Sequence, residues 1–284
     1  MNFPFLHFLA MKIDILVCTI DQGLCGVSRV LMPPAPGVHY VVSVQHTRDL
    51  EEMGEEWGRA LAALEQRSDV TVTMLAGRGL SRNRNNALHA AEGDIIVIAD
   101  DDCRYTEERI DSVRQAYLGH PEADIICFQA ETYDGQPLKR YPPTPMPYAQ
   151  ACRKGYYPAS VEMTFRRSSI ATAGLRFDER FGIGAQYPAS EEEIFLCDAI
   201  EAGLRVEYVP QPIVQTDPVT TGSRFLSDER LQTTKGAVFR RRYGLCPAIW
   251  RTLKEGLYHF IHSGVNPVSI YKNMWRGICE ARHL

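Results

Sequence analysis

The stretch DIIVIADDDCR, residues 94–104, sets five apolar residues, Ile95 to Ala99, directly before three carboxylates, Asp100, Asp101 and Asp102. A short, β-branched, uninterrupted apolar run of this kind reads as a strand buried on both faces, the signature of a parallel sheet. The runs around it agree. IDILVCTI (13–20), HYVVSVQHT (39–47) and VTVTMLA (70–76) read as strands before it, and DIICFQAETY (124–133) as one after it. Helical spacing fills the gaps, in DLEEMGEEWGRALAALEQ between Arg48 and Ser68, in SRNRNNALHAAEG (81–93), and in EERIDSVRQAYLGH behind Thr106. Ser81 and Thr106 are suited to cap the last two, and Gly93 to close the first of these. This βαβα alternation predicts an α/β fold with a mostly parallel sheet and helices on both faces.

In such a sheet, binding and catalytic groups collect at the carboxyl ends of the strands, where IADDDCR lies. If the extended backbone continues, residues two apart share a face, so Asp100 and Asp102 converge while Asp101 faces elsewhere. Two unit charges about 4 Å apart repel by roughly 4 kcal/mol at an effective dielectric near 20. A divalent cation with oxygen ligands, Mg²⁺ or Mn²⁺, would remove that cost. The competing reading is a solvated acidic turn that caps the next helix, with Glu107 and Glu108 in its first turn.

Composition narrows the function classes. The 284 residues are 45% apolar, enough for a large core, and the net charge of −4 excludes a general nucleic-acid footprint. Eight cysteines without C-x-x-C or zinc-like spacing are expected to be reduced, which points to the cytoplasm. MNFPFLHFLAM is apolar but too short to span a bilayer and lacks a basic flank, so residues 1–11 are read as an extension, with Met11 an alternative start.

The ordered set SRNRNNALHAAEGDIIVIADDDC, FDERFG (177–182) and SEEEIFLCDAIEAGLRVEYVP (190–210) resembles the inverting family 2 glycosyltransferases with a GT-A fold, over about residues 13–215. The resemblance implies a catalytic domain over 12–222, with a nucleotide-binding half (12–133) and an acceptor half (134–222), and a helical extension over 223–284. Asp100 and Asp102 fall on the family's metal-binding D-x-D, with Asp101 grouped among the nucleotide contacts. Arg84 and Asn85 fall on its RN pair, Glu192 on the catalytic base, and Glu191 beside it as the alternate. The strand ends add Thr19, Asp21 and Gln45 as candidates near the nucleobase. Gln45 and His46 stand where many members carry an aspartate, and Thr216 and Asp217 where some carry a metal-binding histidine.

Ser190 and Glu193 also fit a capping box, with Gly203 closing the helix. The activity implied is a metal-dependent transfer of a sugar from a nucleotide donor, UDP-linked by expectation, to a glycan or lipid-linked acceptor, in bacterial surface polysaccharide synthesis. A sugar-phosphate nucleotidyltransferase and a non-catalytic glycan- or nucleotide-binding module are the alternatives. DQGLCGVSRV (21–30) is a poor match for the glycine-rich basic loop of the former. PLKRYPPTPMPYAQACRKGYYP (137–158) reads as an ordered excursion whose Tyr148, Tyr156 and Tyr157 either stack on acceptor or pack the core. The basic run in KGAVFRRRYG (235–244), Arg240 to Arg242, has three readings: closure over the diphosphate, attachment to an anionic membrane at its inner face, or a solvated helix face.

Overall fold

The computed structural model describes residues 11–218 and 224–283. They divide into two compact units: residues 11–78, 82–176 and 198–218 in one, and 79–81, 177–197 and 224–283 in the other. The boundary expected at 222/223 and all but Met11 of the extension expected at 1–11 lie outside the described residues.

The first unit is built on an eight-stranded sheet: β1 (Ile13–Ile20), β2 (Val38–His46), β3 (Val70–Ala76), β4 (Ile95–Asp100), β5 (Ile125–Glu131), β6 (Met146–Pro147), β7 (Met163–Arg166) and β8 (Val206–Gln215). Their order is β3-β2-β1-β4-β7-β5-β8-β6. Strands β1 to β4 are parallel, as the alternation predicts. The four-residue β7 interrupts the series, running antiparallel between β4 and β5. Between the strands run α1 (Glu55–Glu65), α2 (Leu80–Ala90), α3 (Glu107–Gly119), α4 (Tyr148–Arg153) and α5 (Arg167–Ala173).

The two faces of the sheet are covered by different chemistry. One is apolar: Ile13, Ile15, Val17, Val42, Val44, Val97 and Ala99 pack with Trp57 and Leu64 of α1 and Ile110, Val113 and Tyr117 of α3. Period-two alternation turns the intervening side chains toward α2, whose polar sequence LSRNRNNALHA is held by hydrogen bonds. Asn83 donates to the carbonyls of Thr19 and Ser43 at 3.0 and 3.1 Å, and Asn86 to the hydroxyls of Ser43 and Thr73 at 2.9 and 3.1 Å. One side chain thereby ties β1 to β2 and the other ties β2 to β3. The cap at Thr106 forms as expected, its hydroxyl accepting from the Arg109 amide.

In the second unit, α6 (Glu191–Glu201) begins beside a small aromatic cluster. The C-terminal helices α7 (Glu229–Tyr243), α8 (Leu245–Ser263) and α9 (Pro267–Glu280) pack on one another. The α7–α9 crossing is close because glycines face backbone there: a Cβ on Gly277 would lie 1.9 Å from the Thr233 carbonyl oxygen, and one on Gly236 2.0 Å from that of Met274. All eight cysteines are free thiols. Among the described residues no helix is long and apolar enough to cross a membrane.

Candidate active site

Strand β4 ends at Asp100, and Asp101 and Asp102 lie in a turn closed by the Cys103 amide on the Asp100 carbonyl at 3.2 Å. The expected alternation therefore stops one residue into the acidic run. Each carboxylate takes its own partners. Asp100 accepts from Arg84 Nη2 at 3.0 Å, Asp101 from the Thr19 hydroxyl at 2.6 Å, and Asp102 lies 3.4 Å from the Thr216 hydroxyl through both oxygens. Burial pushes the Asp102 carboxyl above its usual range, and the charges of Asp100 and Asp101 add to this against the backbone hydrogen bond from Asp217. Burial also raises Asp101, opposed by the Thr19 hydrogen bond and reinforced by the charge of Asp100. The three remain close enough to repel, as the spacing suggested, although not through a shared strand face.

Arg84, expected at the nucleotide, is instead a buried side chain, 1% exposed, that also donates to Ser160 Oγ at 2.9 Å. The guanidinium is thus turned to Asp100 and Ser160. Asn85 lines a separate cleft of about 450 Å³ with Leu88, His89, Phe165 and Arg167, and no aspartate of the acidic run borders it.

The ends of β1 and β2 are joined by Asp21, whose carboxylate accepts from the Thr47 amide and hydroxyl, each at 2.8 Å. Slight burial raises this carboxyl, but the two Thr47 hydrogen bonds and the charges of Arg48 and Arg78 outweigh it and hold it low. Gln45, 2% exposed, has an amide nitrogen with no hydrogen-bond partner among the described residues.

Thr19 sits at the same strand ends and is buried against Gly23. A Cβ at Gly23 would lie 2.2 Å from the Thr19 hydroxyl and 2.8 Å from Asp101 Oδ2, so only glycine leaves that pair intact. Gly23, Asn83, Ser160 and Tyr133, whose hydroxyl donates to the Asp102 carbonyl at 2.6 Å, are site residues that motif reading missed. The asparagine run of α2 was the available signal for Asn83 and the neighbouring Thr19 and Asp21 that for Gly23; Ser160 and Tyr133 lie far from their partners in sequence.

The acidic start of α6 belongs to the second unit. Ser190 has a φ of +68°, and the carbonyl of this residue accepts the Ile194 amide, so the helix opens from a left-handed turn. Glu193, expected as the partner in a capping box, pairs with Arg242. Glu191 is buried beside Gly182, and Glu192 is partly exposed. In FDERFG, Phe177 stacks on Phe195 with centroids 4.4 Å apart, Phe181 joins a core with Tyr187 and Ile194, and Asp178 clasps Arg180. Tyr148 and Tyr156 pack in the core of the first unit, which settles their alternative, whereas Tyr157 is exposed.

A parallel sheet with an inserted antiparallel strand and carboxylates at the exit of β4 defines a GT-A-like α/β fold, and solved structures share it. The crystal structure of S. aureus TarS 1-349 superposes with a TM-score of 0.61 at 12% identity, over 96% of this chain and 91% of that one. Its complex with UDP-GlcNAc gives 0.60 at 12% identity over 96% and 92%, and its complex with UDP 0.59 at 14% over 89% and 73%. No curated protein sequence matches. Residues 51–177 match the model of Glycosyl transferase family 2.

Proposed function

We propose that the chain transfers a sugar, with inversion, from a UDP-sugar to a glycan or lipid-linked acceptor, using a divalent cation. The observation that carries this reading is the acidic run at the exit of β4, where burial and the charge of Asp100 raise both Asp101 and Asp102. Carboxylate oxygens are the donors that Mn²⁺ or Mg²⁺ takes, and such ions need only one or two of them beside diphosphate oxygens; no cluster of three ligating side chains is preassembled among the described residues. Asp102 would hold the ion with Asp100, and Thr216 and Asp217 stand beside Asp102 where relatives place a histidine. When bound, such an ion supplies Lewis-acid stabilisation of charge on a departing diphosphate.

The chain's own residues do the rest. Arg84 fixes the rotamer of Asp100 from behind. Thr19 holds Asp101, and Asp21 holds the ends of β1 and β2 in register for a nucleobase, where Gln45 offers its unpartnered amide. Glu192, the more exposed of the two family-aligned glutamates, takes the proton of the acceptor hydroxyl at a side-chain oxygen as that hydroxyl attacks the anomeric carbon. UDP as the nucleotide is supported by the UDP and UDP-GlcNAc complexes of the TarS fold relative. Assembly of bacterial surface polysaccharide is the setting we propose, with the chain in the cytoplasm or at the inner face of the membrane.

Calorimetric titration of UDP, GDP and CDP, with Mn²⁺ or with chelator, tests the donor site. Metal-dependent binding of UDP that Asp102→Ala abolishes is the expected result. Absence of nucleotide binding in every condition would return the acidic run to a capped turn.

A further inference from the structure

The inner face of α8 is made of small residues. Ala248, Thr252 and Gly256 are buried, and a Cβ on Gly256 would lie 2.0 Å from the ring of Tyr271 on α9. The opposite arc carries Trp250, Leu253, Leu257, Phe260 and Ile261, spaced to share one helical face, and all are exposed; Trp250 is 70% and Ile261 66% accessible. Beside them, α8 and α9 enclose an apolar groove of about 320 Å³ lined by Ile249, Thr252, Leu253, Tyr271, Lys272 and Trp275. The Thr252 hydroxyl has no hydrogen-bond partner among the described residues. Apolar patches rimmed by polar groups on a folded surface mark interaction sites.

Charge selects the occupant. Residues 229–283 hold ten Lys and Arg against three Asp and Glu, a net +7 in a chain whose total is −4. Arg251 and Lys254 border the arc, and Lys272 and Arg276 border the groove; all four are exposed. Trp250, Tyr258 and Trp275 are amphipathic rings suited to the level of lipid headgroups. Basic residues beside an apolar helical face carrying Trp, Leu and Phe are what an anionic bilayer surface attracts. Two copies of this face would instead bring like charges together.

We infer that α8, with the α8–α9 groove, lies in the headgroup layer of an anionic membrane. Within the basic run Arg240 to Arg242, Arg242 is half-buried and paired with Glu193, so the contact is placed on α8 and α9. The inference goes beyond the donor assignment and does not depend on it, and it stands whether or not the acceptor is lipid-linked.

The test uses the full chain in co-sedimentation with phosphatidylcholine vesicles, with and without phosphatidylglycerol, at low and high salt. Partition should be roughly tenfold or more stronger on the anionic vesicles and should weaken with salt. Leu253→Ser with Leu257→Ser should weaken it by roughly tenfold or more, and Arg251→Ser with Lys254→Ser should remove the preference for anionic lipid. Thermal melting of each variant, unchanged for such exposed positions, verifies folding. The inference is overturned by absence of partition, by partition indifferent to both pairs, or by a dimer in light scattering that the leucine pair dissolves, since a second copy would then own the face. Loss of UDP binding with vesicle binding intact would overturn the transferase reading alone.

Discussion

Arg84 Nη2 donates to Asp100 Oδ1 across 3.0 Å, from a side chain 1% exposed to one 40% exposed. The cation is therefore the enclosed half of the pair and the anion the half that faces outward. Breaking a buried pair by removing one partner costs roughly 3–5 kcal/mol, and the exposure of Asp100 puts Arg84→Met toward the lower end. UDP and UMP affinities should fall together in this variant. A loss confined to UDP would mean that the guanidinium touches the second phosphate. Adding Asp100→Asn should recover part of the stability in a double-mutant cycle.

The raised carboxyls give two opposite pH dependences. In the metal-free protein the charged forms of Asp101 and Asp102 are disfavoured, so their contribution to stability improves as pH falls from their raised values toward the ordinary aspartate value of about 3.9. Metal-dependent UDP binding needs the charged forms and should fade at a higher pH than an ordinary aspartate would give. Asp102→Asn should thus raise Tm at neutral pH in chelator while weakening UDP binding with Mn²⁺ by about tenfold or more, at least 1.4 kcal/mol. Melting curves and titrations across acidic to neutral pH check both signs.

Gly23→Ala tests the Thr19–Asp101 contact without touching a charge. A hydrogen bond to a charged group is worth roughly 1.5–3 kcal/mol, and its displacement should appear as a loss of that size in denaturant unfolding, with a parallel loss of UDP affinity. Unchanged Tm and Kd would remove the contact from the site.

Glu192→Gln should lower kcat by about a hundred- to ten-thousand-fold, with UDP binding retained, as expected for loss of a general base. Glu191→Gln, at a buried position, should lower Tm more than Glu192→Gln does. Reversal of the two kinetic outcomes would hand the base role to Glu191.

Gly277→Ala places a methyl against the backbone of Thr233 and Ala237, which cannot swing aside. Overpacking costs roughly 1–3 kcal/mol, and the backbone neighbours put this substitution at the upper end. Reduced Tm with unaltered UDP affinity is the expected pair of results.

Most of the central sheet was legible because its strands are apolar runs bounded by helical periods, and parallel pairing follows from that alternation. Strand β7 was not, since MTFR is four residues long and its place beside β4 is set by pairing over 60 residues away. The first half of β8 appeared only within a motif, and two prolines in VEYVPQPIVQ obscure a strand that pairs with shifts in register. At the site, the residue types were readable and their geometry was not. Burial of Arg84 depends on Ser160 and Asp100 together, and no local pattern reports a partner 76 residues on. The turn after Asp100 likewise defeats an alternation that holds only while the backbone stays extended.

The antiparallel course of β7 has a consequence for how such a chain changes over evolutionary time. Its leading end, at Ser160–Glu162, is the end that meets the exit of β4, so the acidic run is flanked by a segment that arrives from a long connection. A parallel neighbour would deliver a strand exit locked to its own helix. Here the exposed turn over residues 134–137 of that connection can gain or lose length while β6 and the buried Tyr148 and Tyr156 further along it stay in place. Variation can therefore be tried in that turn at little cost to the sheet that presents the acidic run.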